Sequence, residues 1–280
     1  MTALPSQGLE TLVQRSREVR ASVVRMAHRA KSPHVGSALS SVDLLVALYF
    51  RVMDVDPRRK TPENPDRFIL SKGHGCMAYY ATLAARGFFE PQMLETYSRN
   101  GSVLAEHPSP VGIPGCEIGT GSLGHGLSVA AGAALARQMR GQPGRHYVLL
   151  SDGECNEGSV WEAAMFAAGR RLENLVVLVD YNKLQAMGRS DEVTGLPPLA
   201  KKWSSFSFGT VEIDGHSMPE IVRALEGVPF EKGRPSAIIA HTVKGKGVSF
   251  MENENRWHYT RLSPDTYAAA VAELPPPLVA

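Results

Sequence analysis

Apolar residues recur at two spacings along this chain, and together they predict alternating helices and strands. Leu12, Val19, Val23 and Met26 recur at helical spacing before Pro33 interrupts the pattern. Similar stretches predict further helices at 42–53, 77–86, 90–100, 123–140 and 157–170. Short apolar runs predict strands at 68–70, 147–150 and 175–179, with two more near Thr210 and Ala237. This alternation is typical of an α/β fold, a parallel sheet flanked by helices on both faces.

Polar residues follow two of these predicted strands directly. Asp152-Gly153 comes after the run at 147–150, and Asn182 comes after the run at 175–179. In a βαβ unit the carboxyl ends of neighbouring strands lie together, so we expect the two side chains to meet there. Their oxygen atoms, with a backbone carbonyl, suit a hard cation such as Mg²⁺. Because Asp-Gly is also a common turn, this pair alone leaves the choice between a metal site and a turn open.

Histidines beside turn residues form a second group of candidates. Six of the nine lie next to Gly, Pro or other turn residues: 34, 74, 107, 125, 216 and 258. Loops held by a rigid scaffold often carry site residues, and histidine exchanges protons near neutral pH. For any single one of them a structural or solvated histidine is the alternative interpretation. Their order along the chain, alternating with the Asp-Gly…Asn unit, favours a shared site.

The segments SPHVGS, SKGHG, GTGSLG and Asp-Gly…Asn, taken in this order, resemble the first half of transketolase from about Leu9 to His258. The resemblance implies a thiamine diphosphate-binding fold of the PP type, as one domain over 1–280 with poorly ordered tails at 1–8 and 272–280. It also implies transfer of a two-carbon ketol unit from a ketose to an aldose, either of them free or phosphorylated. The usual glycine before the Asp-Gly pair is Ser151 here, a small residue that still permits the turn.

The same resemblance implies a role for each matching position. The metal, Mg²⁺ or else Ca²⁺ or Mn²⁺, would take oxygens from Asp152, Asn182 and the backbone of Leu184. His34 and His258 would face the sugar and the reacting carbon, and His107 would contact the donor sugar's hydroxyls near the thiazolium. Cofactor contacts are implied for His74, Gly121, Ser122, Leu123, Asp152, Gly153, Glu157, Asn182 and His258.

Two positions, Glu157 and His125, leave alternatives open. Glu157 matches a family glutamate that links two cofactor sites across a dimer, but an acid in a first helical turn also interacts favourably with the helix dipole. His125 stands where many relatives carry glutamine, so its role is open.

The chain is about half the length of a transketolase, and the resemblance covers only the diphosphate-binding half. In the family, the glutamate that activates the cofactor's aminopyrimidine belongs to the other half. We therefore expect a separate C-terminal subunit with the pyrimidine-binding domain, an α2β2 assembly, and no turnover by this chain alone. The alternatives are a 1-deoxyxylulose-5-phosphate synthase-like subunit, the alpha subunit of a 2-oxo-acid dehydrogenase, and a regulatory subunit that retains the scaffold.

Composition narrows the class of protein. The 280 residues are 43% hydrophobic and 21% charged with a net charge of +2, which argues against a nucleic-acid partner. The three cysteines, Cys76, Cys116 and Cys155, lack metal-site spacing and indicate free thiols in a reducing compartment. Without an apparent N-terminal signal or a twenty-residue apolar span, we expect a cytoplasmic protein with no membrane contact.

Overall fold

The computed structural model describes residues 8–60, 63 and 65–279, and its centre is a parallel sheet. The strands are β1 (Arg67–Leu70), β2 (His146–Ser151), β3 (Leu175–Tyr181), β4 (Gly209–Asp214) and β5 (Ser236–His241). They lie in the order β1-β2-β3-β5-β4, and every neighbouring pair is parallel. The expected α/β fold is confirmed.

Ten α-helices surround this sheet within the described residues. They are α1 (Leu9–Ala30), α2 (Val35–Ser40), α3 (Val42–Ala47), α4 (Cys76–Arg86), α5 (Gly126–Met139), α6 (Gly158–Gly169), α7 (Ser190–Thr194), α8 (Leu199–Ser205), α9 (Met218–Glu226) and α10 (Pro264–Ala272). A π-helical turn, Leu48–Val52, continues α3. Among the described residues, no helix is both long and apolar enough to cross a bilayer.

Successive residues of the central strands pack on opposite faces of the sheet, as a pleated strand requires. Leu149 and Leu178 belong to the larger apolar cluster, which includes the buried sides of α1, α3, α4 and α9. Val148 and Val177 belong to the second cluster, with the buried sides of α5, α6 and α8. Both faces are therefore covered, which explains why these strands are continuous apolar runs.

Two expectations from the sequence differ from the structure. The helix predicted at 90–100 is wrong: only a 3₁₀ segment, Pro91–Thr96, forms there, because Tyr97 takes extended ψ and Ser98 has φ 55°. The tail expected at 272–280 is packed over its described part, 272–279, since Leu274 and Leu278 lie against the apolar core and the Leu278 N–H donates to Ser22 Oγ at 3.0 Å. Residues 1–7 of the other expected tail lie outside the described residues.

Candidate active site

The largest concentration of predicted site residues lines one cavity of about 310 Å³ at the carboxyl ends of β1, β2 and β3. Ten of the twelve predicted residues line it: His34, His74, His107, Gly121, Leu123, Asp152, Gly153, Asn182, Leu184 and His258. Ser37, Ser151, Gln185, Ala186 and Tyr259 complete the lining. Each strand thus ends in a loop that contributes polar groups to the same opening, the usual ligand position in such sheets.

Oxygen atoms gather on one side of this cavity. The Asp152 carboxylate is 1% exposed and accepts from the Gly153 N–H at 2.9 Å and from Ser190 Oγ at 2.6 Å. The Asn182 side-chain oxygen accepts from the Leu184 N–H at 3.1 Å, which folds this segment back toward the cavity. Lys183 between them has φ 68°, a left-handed conformation that fixes the turn.

This oxygen set fits a hard divalent cation. Burial raises the pKa of the Asp152 carboxyl, and nearby Asp180 adds to the effect, while both groups that donate to Asp152 are neutral. A cation would therefore stabilise a carboxylate that burial now disfavours. Within the described residues, no group of three His, Cys, Asp or Glu side chains converges on a metal position. One carboxylate with two neutral oxygens leaves room for water and phosphate ligands, as Mg²⁺ requires.

Three glycines allow backbone to approach closely around the cavity. A Cβ on Gly73 would lie 2.8 Å from the Thr120 carbonyl, and one on Gly121 would lie 3.0 Å from the His107 ring. One on Gly153 would lie 3.2 Å from Gln185 Cγ. The SKGHG turn therefore packs directly against the GTGSLG turn, and only residues without a Cβ permit this contact.

Three histidines form a cluster on the other side of the cavity. The His34 ring centroid lies 5.4 Å from that of His74 and 5.3 Å from that of His258. The backbone fixes this arrangement, because the His34 N–H donates to the His258 carbonyl at 2.9 Å and His34 itself has φ 67°. A non-glycine residue in this left-handed conformation is often found at functional sites.

The electrostatic surroundings keep these histidines neutral. Burial lowers the pKa of His34, lowers that of His258 to about 3, and lowers that of His74 well below its usual value. The cations of Lys72 and Lys244 act in the same direction. Near neutral pH each ring therefore has one N–H donor and one acceptor nitrogen.

Lys244 was not among the residues predicted from the sequence. Its side chain is fully buried, and its Nζ donates to His258 Nδ1 at 2.7 Å and to the Leu184 carbonyl at 3.2 Å. Because an ammonium is only a donor, His258 Nδ1 must accept and the ring hydrogen lies on Nε2. Burial lowers the pKa of Lys244 to about 8, with Lys72 adding to the shift. Its position in the glycine-flanked segment TVKGKG was the available signal.

A second buried lysine, Lys72, lies beneath the cavity and was also missed. Its Nζ donates to Asp180 and, at 2.8 Å, to the Ser37 carbonyl. Asp180 also accepts from Ser40 Oγ at 2.6 Å and from the Thr242 hydroxyl. Both charged side chains are 0% exposed. This ion pair ties the SKGHG turn to the end of β3.

Two predicted residues do not line the cavity. Ser122 lies in a neighbouring groove with His125 and Val129. Glu157 is exposed at the start of α6.

The carboxylate buried near Glu157 is Glu154, another residue that the sequence reasoning missed. It is 0% exposed and accepts from the Ser71 hydroxyl and from the Gly124 N–H at 2.9 Å. Glu154 thus joins the turn after β1 to the start of α5 from within the fold.

Comparisons with known proteins agree on one family. Residues 13–274 match the family model described as transketolase, thiamine diphosphate binding domain. The chain is 46% identical over 241 residues to a 6-deoxy-6-sulfo-D-fructose transketolase subunit from Clostridium sp., covering 86% of this chain and 88% of that one. It is 40% identical over 266 residues to an apulose-4-phosphate transketolase subunit from Phocaeicola vulgatus, covering 95% and 94%.

Longer relatives match over part of their length. The transketolase of Homo sapiens is 36% identical over 258 residues, which are 90% of this chain and 40% of that one. A solved structure of transketolase from Leishmania mexicana superposes with a TM-score of 0.86 at 26% identity, over 96% of this chain and 41% of that one. This chain therefore spans most of the relatives named as subunits and less than half of the long transketolases.

Proposed function

This chain belongs to the transketolase family, and from that premise we propose that it is the thiamine diphosphate-binding subunit of a transketolase whose pyrimidine-binding domain lies on a separate chain. The observation that carries the proposal is a single cavity that combines the oxygen set of Asp152, Asn182 and Leu184 with the neutral histidines His34 and His258. The match to two relatives named as transketolase subunits, over 86% and 95% of this chain, supports the two-chain arrangement.

Asp152, Asn182 and the Leu184 carbonyl hold Mg²⁺, or Ca²⁺ or Mn²⁺ in its place, and through it the diphosphate. His74, Gly121, Ser122, Leu123 and Gly153 contact the cofactor, and Glu157 faces the partner subunit. Thiamine diphosphate supplies the electron sink that a carbon–carbon bond cleavage beside a carbonyl needs.

The histidines transfer protons to and from the substrates and hydrogen-bond to their hydroxyl groups. In ketol transfer the C2–C3 bond of the ketose breaks and its C3 hydroxyl loses a proton; later the carbonyl oxygen of the acceptor aldose gains one. His34, which burial keeps neutral, or His107 can accept the first proton and return the second, so the cycle is redox neutral and needs no other reactant. His258 presents its Nε2–H as a donor, because Lys244 occupies its Nδ1.

The substrates are sugars with an aldehyde or ketone carbonyl, in a free, phosphorylated or otherwise anionic form. The two relatives named as subunits carry a sulfonated and a phosphorylated sugar in their names, which supports an anionic end on at least one substrate. The separate C-terminal chain completes the site in an α2β2 assembly, and the protein acts in the cytoplasm.

The decisive experiment combines this chain with its C-terminal partner and measures both cofactor affinity and ketol transfer. Asp152→Asn keeps the shape of the side chain but removes the charge, so Mg²⁺-dependent affinity for thiamine diphosphate should fall at least about 100-fold. Asp54→Asn is the matched control, because Asp54 is 54% exposed beside Arg59. Unchanged affinity in Asp152→Asn would refute the metal assignment. Tight cofactor binding without transfer by the wild-type complex would favour a regulatory subunit.

A further inference from the structure

Tyr259 lies at the mouth of the cavity, beyond the histidine cluster. Its ring centroid is 4.6 Å from that of His258 and 5.4 Å from that of His34, and its side chain is 62% exposed. Trp257, two residues earlier, is 2% exposed and anchors the segment in the core. The aromatic ring is therefore held at the entrance by its neighbours while one side remains open to a ligand.

None of the residues proposed to hold the metal and the cofactor requires an aromatic side chain at the position of Tyr259. Among the residues that the structure describes, the Tyr259 hydroxyl has no hydrogen-bond partner, although its ring contacts two site histidines. An aromatic ring with a free hydroxyl is well suited to a ligand that offers C–H groups to the ring face and hydroxyl groups to the phenol oxygen. An open-chain sugar has both properties, since its C–H groups and hydroxyls alternate along the carbon chain.

We propose that Tyr259 contacts the hydroxylated carbons of the aldose and so makes this subunit select aldoses by chain length. The inference rests on the proposed function. His34 and His258 lie deeper, near the reacting carbon, whereas Tyr259 is at the entrance and reaches the carbons farther along the chain. Because it carries no charge, it acts on the polyol part of the substrate whether or not the far end is phosphorylated.

The test uses the complex assembled with the C-terminal chain, thiamine diphosphate and Mg²⁺. Hydroxypyruvate is the donor: its bond from C2 to the carboxylate carbon breaks and CO₂ leaves, so no aldose is released and only the acceptor meets Tyr259. Glycolaldehyde is the short acceptor, and D-ribose and D-ribose 5-phosphate are long acceptors without and with a charge. The readout is kcat/KM for each acceptor, together with thiamine diphosphate affinity.

Tyr259→Ala should lower kcat/KM for both five-carbon acceptors about tenfold, chiefly through KM, because it removes an aromatic contact and a hydrogen bond. It should change the value for glycolaldehyde less than about twofold and leave cofactor affinity unchanged. Tyr259→Phe keeps the ring and should show a smaller loss, of about threefold, for the five-carbon acceptors. Tyr267→Ala is the matched control, since that ring stacks on His28 at 4.1 Å, in α10 and away from the cavity.

Four outcomes would contradict a contact between Tyr259 and the hydroxylated carbons of the aldose. Equal losses for short and long acceptors would mean that Tyr259 only supports the histidines, and no loss for any acceptor would mean that it contacts no sugar; both overturn the inference. A selective loss for ribose 5-phosphate but not ribose would also overturn it, because the contact would then be with the charged end. A wild-type complex without ketol transfer would overturn the proposed function and this inference together, whereas an active wild type with an unaffected Tyr259→Ala overturns the inference alone.

Discussion

Removing the charge of Lys72 should destabilise the protein strongly, because it would leave Asp180 buried without its cation. Both side chains are 0% exposed, and the Lys72 ammonium contacts Asp180 and the Ser37 carbonyl. Burial alone would raise the pKa of Asp180, but Lys72 and hydrogen bonds from two hydroxyl groups hold it below its ordinary value. Lys72→Met keeps most of the aliphatic stem, so the change isolates the charge.

The expected magnitude follows from this burial. Breaking a fully buried ion pair by removing one partner costs about 3–5 kcal/mol, since the remaining charge stays desolvated. Ser40 and Thr242 would still donate to Asp180 and would keep the loss toward the lower end. The total free energy of unfolding of a domain is about 5–15 kcal/mol, so the variant should remain folded but unfold at clearly lower urea concentration.

Urea unfolding of the isolated chain measures the difference. Lys246→Met is the matched control, because Lys246 pairs with Glu252 at 3.2 Å with both side chains 34% exposed, and such pairs contribute about 1 kcal/mol or less. The double variant Lys72→Met with Asp180→Asn should recover part of the loss, since no charge then stays buried alone. If Lys72→Met costs no more than Lys246→Met, or if the double variant is additive, the reasoning about this pair is wrong.

Three further outcomes are expected. His146 is 4% exposed, and its burial, together with the charges of Arg137 and Arg67, lowers its pKa to about 4. As pH falls, the His146 ring therefore takes up a proton in the unfolded chain before it does so in the folded one. Between about pH 6.5 and 4 wild type should lose about 3 kcal/mol of stability that His146→Phe does not lose; parallel urea midpoints for the two proteins across this range would contradict it. Gly73→Ala should lower Tm by several degrees because its Cβ meets the Thr120 carbonyl at 2.8 Å, whereas Gly132→Ala in α5 meets nothing within 4 Å and should raise it slightly. His258→Ala should lower kcat of the assembled enzyme about 100-fold with cofactor affinity unchanged by calorimetry, and a parallel loss of affinity would mean that His258 acts mainly through its implied cofactor contact.

Much of the fold could be predicted because its determinants are local. The strand at 175–179 and the helix at 157–170 form at Leu175–Tyr181 and Gly158–Gly169, since a run buried on both faces and a helical repeat each have a clear sequence period. The helix predicted at 90–100 does not form, because its apolar residues are few and Ser98 adopts positive φ, a backbone conformation that hydrophobic periodicity does not reveal.

Some residues of the candidate site could likewise be predicted from the sequence, and others could not. Asp152 and Asn182 could be placed together from the sequence, because parallel strands bring their carboxyl ends to one edge. Lys72, Lys244 and Glu154 could not, since a lysine or glutamate that ends up buried looks in the sequence like one that faces solvent.

The sequence by itself determined the family, the parallel sheet and the edge at which its polar residues collect, because these depend on residue order and on short-range periodicity. Only the tertiary structure decided that His34 meets His258, that Lys244 orients His258, and that Tyr259 stands at the entrance. The contact of His34 with His258 joins residues far apart in the chain, and the other two depend on how the loop that carries Lys244, His258 and Tyr259 packs and on which buried charges find partners.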